Sequence, residues 1–312
     1  MPLTYSSRAG LYKLQDFLIT SGLSLAYLVL SYLLIGFKSD QVILVLIFNT
    51  CYYASSFSRK FILGFSIFIV YWIIFDYMKA IPNYRFHSVS TAELYNLEKH
   101  FFGINDGGVL LTPNEYFKAN HRVFVDVVSG FFYLMWIPVP LAFAAYLFFK
   151  DRTQFLYFSL SFVLVNLIGF VIYYLYPAAP PWYIQLHGYE FIANTPGNTG
   201  GLARFDTFFN TPIFASIYSK SSNVFAAMPS LHSSYPVIVV YYGIRNRLRW
   251  FNAFFAIVML GIWFTAVYTS HHYVLDVLAG ISCAIVSIYL FNLLLAKTGL
   301  KRLLSKYAAA IQ

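Results

Sequence analysis

The sequence predicts an all-α fold, a polytopic bundle of membrane helices. Charged residues make up 11% of the chain and hydrophobic ones 59%, whereas a soluble domain carries about 25% charged residues. Mean hydropathy is +0.64. The apolar residues form continuous runs of roughly 18 to 25, and about 20 suffice to cross the hydrocarbon core as a helix. In lipid every backbone group needs an internal partner, which helices supply. Continuous rather than alternating runs exclude an outer-membrane barrel.

About eight spans are expected among the 312 residues, at 14–37, 41–57, 61–78, 124–149, 154–176, 229–245, 250–270 and 275–296. Pro138 and Pro140 should kink the fourth, since proline frees a carbonyl that neighbouring helices can satisfy. The first run is too long for a signal-peptide core and lacks a small-residue cleavage pattern, so it reads as a retained helix. Cys51 and Cys283 fall inside apolar runs, which argues against a disulfide framework or a zinc site. No repeat or long linker marks a second soluble domain.

The net charge of +9 fits basic cytoplasmic loops better than nucleic-acid binding. One side collects Arg8, Lys13, Arg59, Lys60, Lys150, Arg152, Arg245, Arg247, Arg249, Lys297, Lys301, Arg302 and Lys306, against only Asp16 and Asp151. The positive-inside rule makes that side cytoplasmic, with both termini on it. The opposite side receives two long loops, 79–123 and 177–228, and all seven histidines. The site is expected there.

In the first loop, Ser90 to Phe102 reads as a helix opened by a Ser90–Glu93 capping box. Ala92, Leu94, Leu97 and Phe101 recur at helical spacing, which suits a lid lying on the membrane surface. Gly107-Gly108 and Pro113-Asn114 mark turns. In the second loop, Pro177, Pro180 and Pro181 predict a stiff extended segment leading to Trp182 and Tyr183 at headgroup depth. Gly200-Gly201 precedes Arg204, which could grip a phosphate in bidentate fashion or pair with Asp206.

Two motifs carry the chemistry. Met228-Pro229-Ser230-Leu231-His232-Ser233 places Pro229 at the first position of a helix and His232 in its first turn, near the positive end of the dipole. In Ser270-His271-His272-Tyr273-Val274-Leu275-Asp276, His272 and Asp276 are four apart and share a helical face. Asp276 can then accept the Nδ1 proton of His272 and leave Nε2 free to attack, which is the logic of a catalytic triad. His271 points about 100° away on such a helix and reads as a residue that packs or contacts a headgroup. A zinc site is the weaker alternative, because His-x-x-x-Asp lacks the helical glutamate of a metalloprotease. A structural histidine cluster and a non-enzymatic lipid transporter with a polar vestibule are the others.

Pro-Ser-x-His followed by His-x-x-x-Asp resembles the signature of the type 2 phosphatidic acid phosphatase superfamily, whose six core helices support a phosphohistidine mechanism. Tyr176-Pro177-Ala178-Ala179-Pro180-Pro181-Trp182-Tyr183 and Gly200-Gly201-Leu202-Ala203-Arg204-Phe205-Asp206 resemble more closely the fungal inositol phosphorylceramide synthases, the aureobasidin A targets. Asp76 to Tyr84 extends the likeness, which covers roughly residues 76–280. It implies two additional N-terminal helices over 1–60 and a six-helix catalytic core over 61–312. It also implies transfer of phosphoinositol from phosphatidylinositol to ceramide, with diacylglycerol released. His272 would be the nucleophile, Asp276 its orienter and His232 the acid and base. The substrates implied are lipids; no metal, cofactor or nucleic acid is implied, and no accessory subunit is specified. A lipid phosphatase, acting on phosphatidate or a polyprenyl pyrophosphate, and another sphingolipid headgroup transferase are the alternatives.

The chain departs from the superfamily pattern. It has no Arg-Pro pair, has Ala266 where an arginine precedes the nucleophile, and reads Ser-Leu-His for Ser-Gly-His. Arg204 is therefore the first candidate phosphate ligand, with Lys79 and the amides near Ser230 behind it. Asp76, Asn83 and Arg204 are candidates for gripping a polyol headgroup. The short tail after Lys297 suggests a bacterial inner membrane with the site facing the periplasm. In a eukaryote the expectation is the Golgi lumen.

Overall fold

The apolar runs fold as helices in a computed structural model that describes residues 12–220 and 223–312; Arg8 lies outside them. In chain order come α1 (Leu14–Ile35), α2 (Ser39–Ala54), α3 (Ser56–Tyr77), α4 (Ala92–Phe102), α5 (Pro113–Ala119), α6 (Val123–Leu134) and α7 (Pro138–Lys150). They continue with α8 (Arg152–Leu175), α9 (Pro181–His187), α10 (Ala203–Phe209), α11 (Ile213–Tyr218), α12 (Leu231–Arg245), α13 (Trp250–Tyr268), α14 (Val274–Lys297) and α15 (Leu300–Ala310). A hairpin of β1 (Ile104–Asp106) and β2 (Val109–Leu111) turns at Gly107-Gly108, as expected.

Six helical segments among the described residues are long and apolar enough to cross a membrane: Leu14–Ile35, Ser56–Ala80, Val123–Lys150, Arg152–Leu175, Trp250–Tyr268 and Val274–Lys297. The protein is an integral, all-α membrane protein. Of the eight expected spans, α2 and α12 are the short ones, at 16 and 15 residues. At 1.5 Å per residue α12 measures about 22 Å, less than the ~30 Å hydrocarbon core. The proline-bearing span breaks between α6 and α7, where Pro138 opens the second half at a position that needs no N–H.

α8 forms the centre of the bundle. Twelve of its residues are buried, packed in one apolar cluster with side chains of α3, α7, α12, α14 and α15. Polar side chains tie it across to α12: Tyr235 donates to Asn166 at 2.6 Å, and the Ser161 and Tyr242 hydroxyls are 2.8 Å apart. With no water as competitor, such bonds hold helices that the lipid does not press together.

The two long loops are laced to each other. Ser90 N–H donates to Pro177 O and Ala179 N–H to Ser90 O, and within the second loop Ala178 N–H donates to Phe225 O. Two expectations change here. The helix of the first loop starts at Ala92 and its capping box does not form, because the Ser90 hydroxyl takes the Leu94 N–H at 3.3 Å and the hydroxyl proton of Tyr176. The extended segment ends at Pro180, because Pro181 occupies the first position of α9, where its fixed φ favours a helix.

Candidate active site

α12 begins at a serine cap. Ser230 Oγ accepts the Ser233 N–H at 3.4 Å and the Ser233 hydroxyl at 3.0 Å. The capping role thus falls to Ser230, and Pro229 lies one residue ahead of it behind a cis Met228–Pro229 bond. The Ser230 N–H donates to Asp276 O at 2.9 Å, joining the two motifs through the backbone. His232, in the first turn of α12, meets the gap between α6 and α7. Its Nδ1 lies 3.1 Å from the Tyr133 hydroxyl, and its ring packs edge-on to Trp136 with centroids 4.2 Å apart.

The second motif is a tight segment between α13 and α14. Ser270 sits at φ 61°, a region costly for a residue with a side chain. Two groups from α9 hold it there: the Trp182 N–H donates to Ser270 O at 2.9 Å and Gln185 Nε2 to Ser270 Oγ at 3.0 Å. The N–H groups of His271 and His272 both donate to Ala266 O, at 3.1 and 2.9 Å. From α5, Asn114 Nδ2 donates to Val267 O at 2.8 Å and His272 O at 2.9 Å.

His272 therefore precedes α14 instead of lying on it. Tyr273 caps that helix, and the capping bond is the reason: Asp276 Oδ2 accepts the Tyr273 N–H at 2.8 Å. The same oxygen lies 3.5 Å from His272 Nδ1, within ion-pair reach. Asp276 is fully buried and its Oδ1 has no hydrogen-bond partner. On the far side of the ring, His272 Nε2 is 3.3 Å from His232 Nδ1. A carboxylate, an imidazole 3.5 Å away whose Nδ1 makes no hydrogen bond, and a second imidazole beyond it follow one another. The series can supply a nucleophile, its orienter and a proton carrier.

The profile of the PAP2 superfamily matches residues 109–290. The phosphoinositol dihydroceramide synthase of Bacteroides thetaiotaomicron is 45% identical over 90% of this chain and 93% of its own. The chain belongs to the inositol phosphorylceramide synthase family within the PAP2 superfamily. The inositol phosphorylceramide synthase of Candida albicans is 30% identical over 76% of this chain, and the synthase catalytic subunit of Schizosaccharomyces pombe 29% over 71%. This chain spans about half the length of those two fungal relatives, 49% and 51%. No solved structure matches it.

Around the histidines of this family member the other candidates fall into place. Arg204, on α10, does not pair with Asp206, which instead accepts the N–H groups of Phe214 and Ala215 at the start of α11. Its Nε donates to Asp126 Oδ1 at 2.6 Å, and Asp126 also holds the Tyr268 hydroxyl at 2.8 Å and His121 Nδ1 at 3.0 Å. One guanidinium nitrogen, Nη2, is buried without a partner. Gly200 and Gly201 let this turn close on the catalytic segment: the Gly201 N–H donates to Thr269 O at 2.8 Å, and a Cβ on Gly201 would stand 2.9 Å from Thr269 Cα. His271 packs its ring against Tyr133 and Tyr218, with centroids 5.3 and 4.7 Å away, and its Nδ1 meets the Thr269 hydroxyl at 3.0 Å.

The remaining headgroup candidates are otherwise occupied. Asn83 is fully buried; its Nδ2 donates to Tyr173 O and Phe225 O at 2.9 Å each, which braces the loops, and its Oδ1 has no partner. Lys79 pairs with Asp76 at 2.8 Å and donates to Lys220 O at 3.1 Å. Ser230 is fully buried as the α12 cap.

Sequence reasoning missed Asn114, Tyr133, Trp136, Gln185 and Glu98. Pro113-Asn114 is the start of α5, capped by Thr112, and not a bare turn. Asp126 could have been found, since an acid in the first turn of an apolar span demands a partner. The others carry no local signal, because their roles exist only once distant helices meet.

Proposed function

We propose that the protein transfers phosphoinositol from phosphatidylinositol to ceramide or its dihydro form, giving inositol phosphorylceramide and diacylglycerol. The observation that carries this is the series Asp276–His272–His232, in a chain 45% identical to a phosphoinositol dihydroceramide synthase. His272 Nε2 attacks phosphorus while the bond to the diacylglycerol oxygen breaks, and His232 gives that oxygen a proton. His232 then takes the proton of the ceramide primary hydroxyl as its oxygen attacks the phosphohistidine and the P–N bond breaks. Each proton transfer contributes about 10² to 10⁴ in rate. Arg204 is the phosphate ligand: its unpartnered Nη2 lies beside Gly201, whose N–H is bound to Thr269 O, and Asp126 holds its Nε.

The basic-residue map supports cytoplasmic termini and a site on the opposite face, and the bacterial relative supports a bacterial inner membrane with that face toward the periplasm. Purified protein given phosphatidylinositol labelled in inositol, with and without ceramide, tests the reading. Label should enter a lipid product only with ceramide. Equal release of inositol phosphate without ceramide would overturn the transferase reading, because water would then serve as acceptor as well as ceramide.

A further inference from the structure

α4 looks like a lid resting on the bundle, yet it buries a carboxylate. Glu98 is fully buried. Its two oxygens accept the N–H groups of Val274 at 2.8 Å and Leu275 at 3.1 Å, the first two residues of α14. Lys99, the next residue on α4, turns away to the Tyr95 hydroxyl. A buried charge is costly unless something needs it, and α14 is the helix whose third residue is Asp276.

The start of a helix offers unpaired amides and the positive end of a dipole. An aspartate at the third position can swing back onto those amides. Asp276 already gives Oδ2 to the Tyr273 N–H, with the His272 ring 3.5 Å from that oxygen. Were the Val274 and Leu275 amides bare, they would compete with His272 for the same carboxylate. Glu98 occupies both.

We infer that Glu98 is a positioning residue, which saturates the N-terminus of α14 from a separate helix and so keeps Asp276 turned to His272. This rests on the assignment of His272 as nucleophile. It also makes α4 more than a cover. Leu97 and Phe101 are exposed on that helix, so an element with an apolar outer face is tied to the start of the helix that carries Asp276.

The test is single-turnover release of diacylglycerol from phosphatidylinositol, with steady-state transfer to ceramide measured beside it. Wild-type protein must first make the inositol lipid; if it does not, the proposed function fails and not this inference. In Glu98→Gln one oxygen still accepts, but an NH₂ now faces an amide N–H. Single-turnover release and kcat should fall about tenfold to a hundredfold, with KM for phosphatidylinositol unchanged. Glu98→Asp keeps the charge one methylene short and should fall between. A folded E98Q or E98D that turns over like wild type overturns the inference, as does a rise in KM alone. Hydrogen exchange on unmodified protein is the independent check: the Val274 and Leu275 amides should be protected, and fast exchange there overturns it too.

Discussion

Gly280 is where α14 touches the cap of α12, and replacing it by alanine should separate the two motifs. A Cβ there would stand 3.0 Å from the Ser230 carbonyl carbon and 3.2 Å from Ser234 Oγ, and would overlap the Ser230 carbonyl oxygen. Ordinary carbon–carbon contact is about 3.5–4.0 Å, so the carbon alone demands a shift of roughly 0.5–1.0 Å. The obstacle is backbone on a residue whose N–H is bound to Asp276 O and whose side chain caps α12. It cannot swing aside as a flexible side chain would. Overpacking of this kind costs about 1–3 kcal/mol, and a misplacement near 1 Å costs about a hundredfold in rate. The expected result for Gly280→Ala is a folded protein with a lowered Tm, a kcat for phosphoinositol transfer down by about a hundredfold and a smaller change in KM. Full activity in G280A would refute the idea that the two histidines are registered through the Ser230–Asp276 contact.

His272→Ala and His232→Ala should each lose transfer by at least about 10², read as labelled lipid formed; near-normal rates would refute their roles as nucleophile and proton carrier. Asn114→Leu removes two buried hydrogen bonds and leaves the His272 carbonyl without its side-chain donor, at a cost of about 1–3 kcal/mol, while Val267 O keeps the Ser270 N–H. Calorimetry should show a clear drop in Tm, and kcat should fall with it. Arg204→Lys loses the planar fork that Asp126 aligns, and KM for phosphatidylinositol should rise about tenfold. Burial raises the Glu98 carboxyl to about 7 from 4.5, against the opposing pull of the Val274 and Leu275 amides. The folded protein thus holds that proton more tightly than the unfolded chain, so this group's contribution to stability falls as pH rises from 4.5 to about 7. Glu98→Gln should flatten that portion of the pH–stability curve.

What can be read from the chain follows from how local each cause is. Apolar runs of spanning length announce helices without knowledge of neighbours, and Pro138 marks the break between α6 and α7 for the same reason. His232, His272 and Asp276 are legible because their motifs are short in sequence. The start of α14 is not: whether His272 lies on the helix depends on the Asp276 carboxylate choosing the Tyr273 N–H. Asn83 looks like a ligand because its neighbours Asp76 and Lys79 are polar, but two carbonyls far along the chain claim its amide. Glu98 and Asn114 act across 176 and 158 residues of sequence, a distance that no periodicity reports.

The shortness of α12 bears on which acceptor wins. In the proposed orientation, with Arg245 at the cytoplasmic boundary, a helix of about 22 Å would leave His232 some 8 Å short of crossing a ~30 Å core, and Trp136 and Tyr133 wall the ring. Partition between hydrolysis and transfer is a ratio of two rate constants, each multiplied by the local activity of its acceptor. Recessing the reacting nitrogen lowers the activity of water there and raises that of any alcohol already dissolved in the bilayer. In that orientation a few missing residues at the end of one helix would favour transfer to a lipid alcohol over hydrolysis.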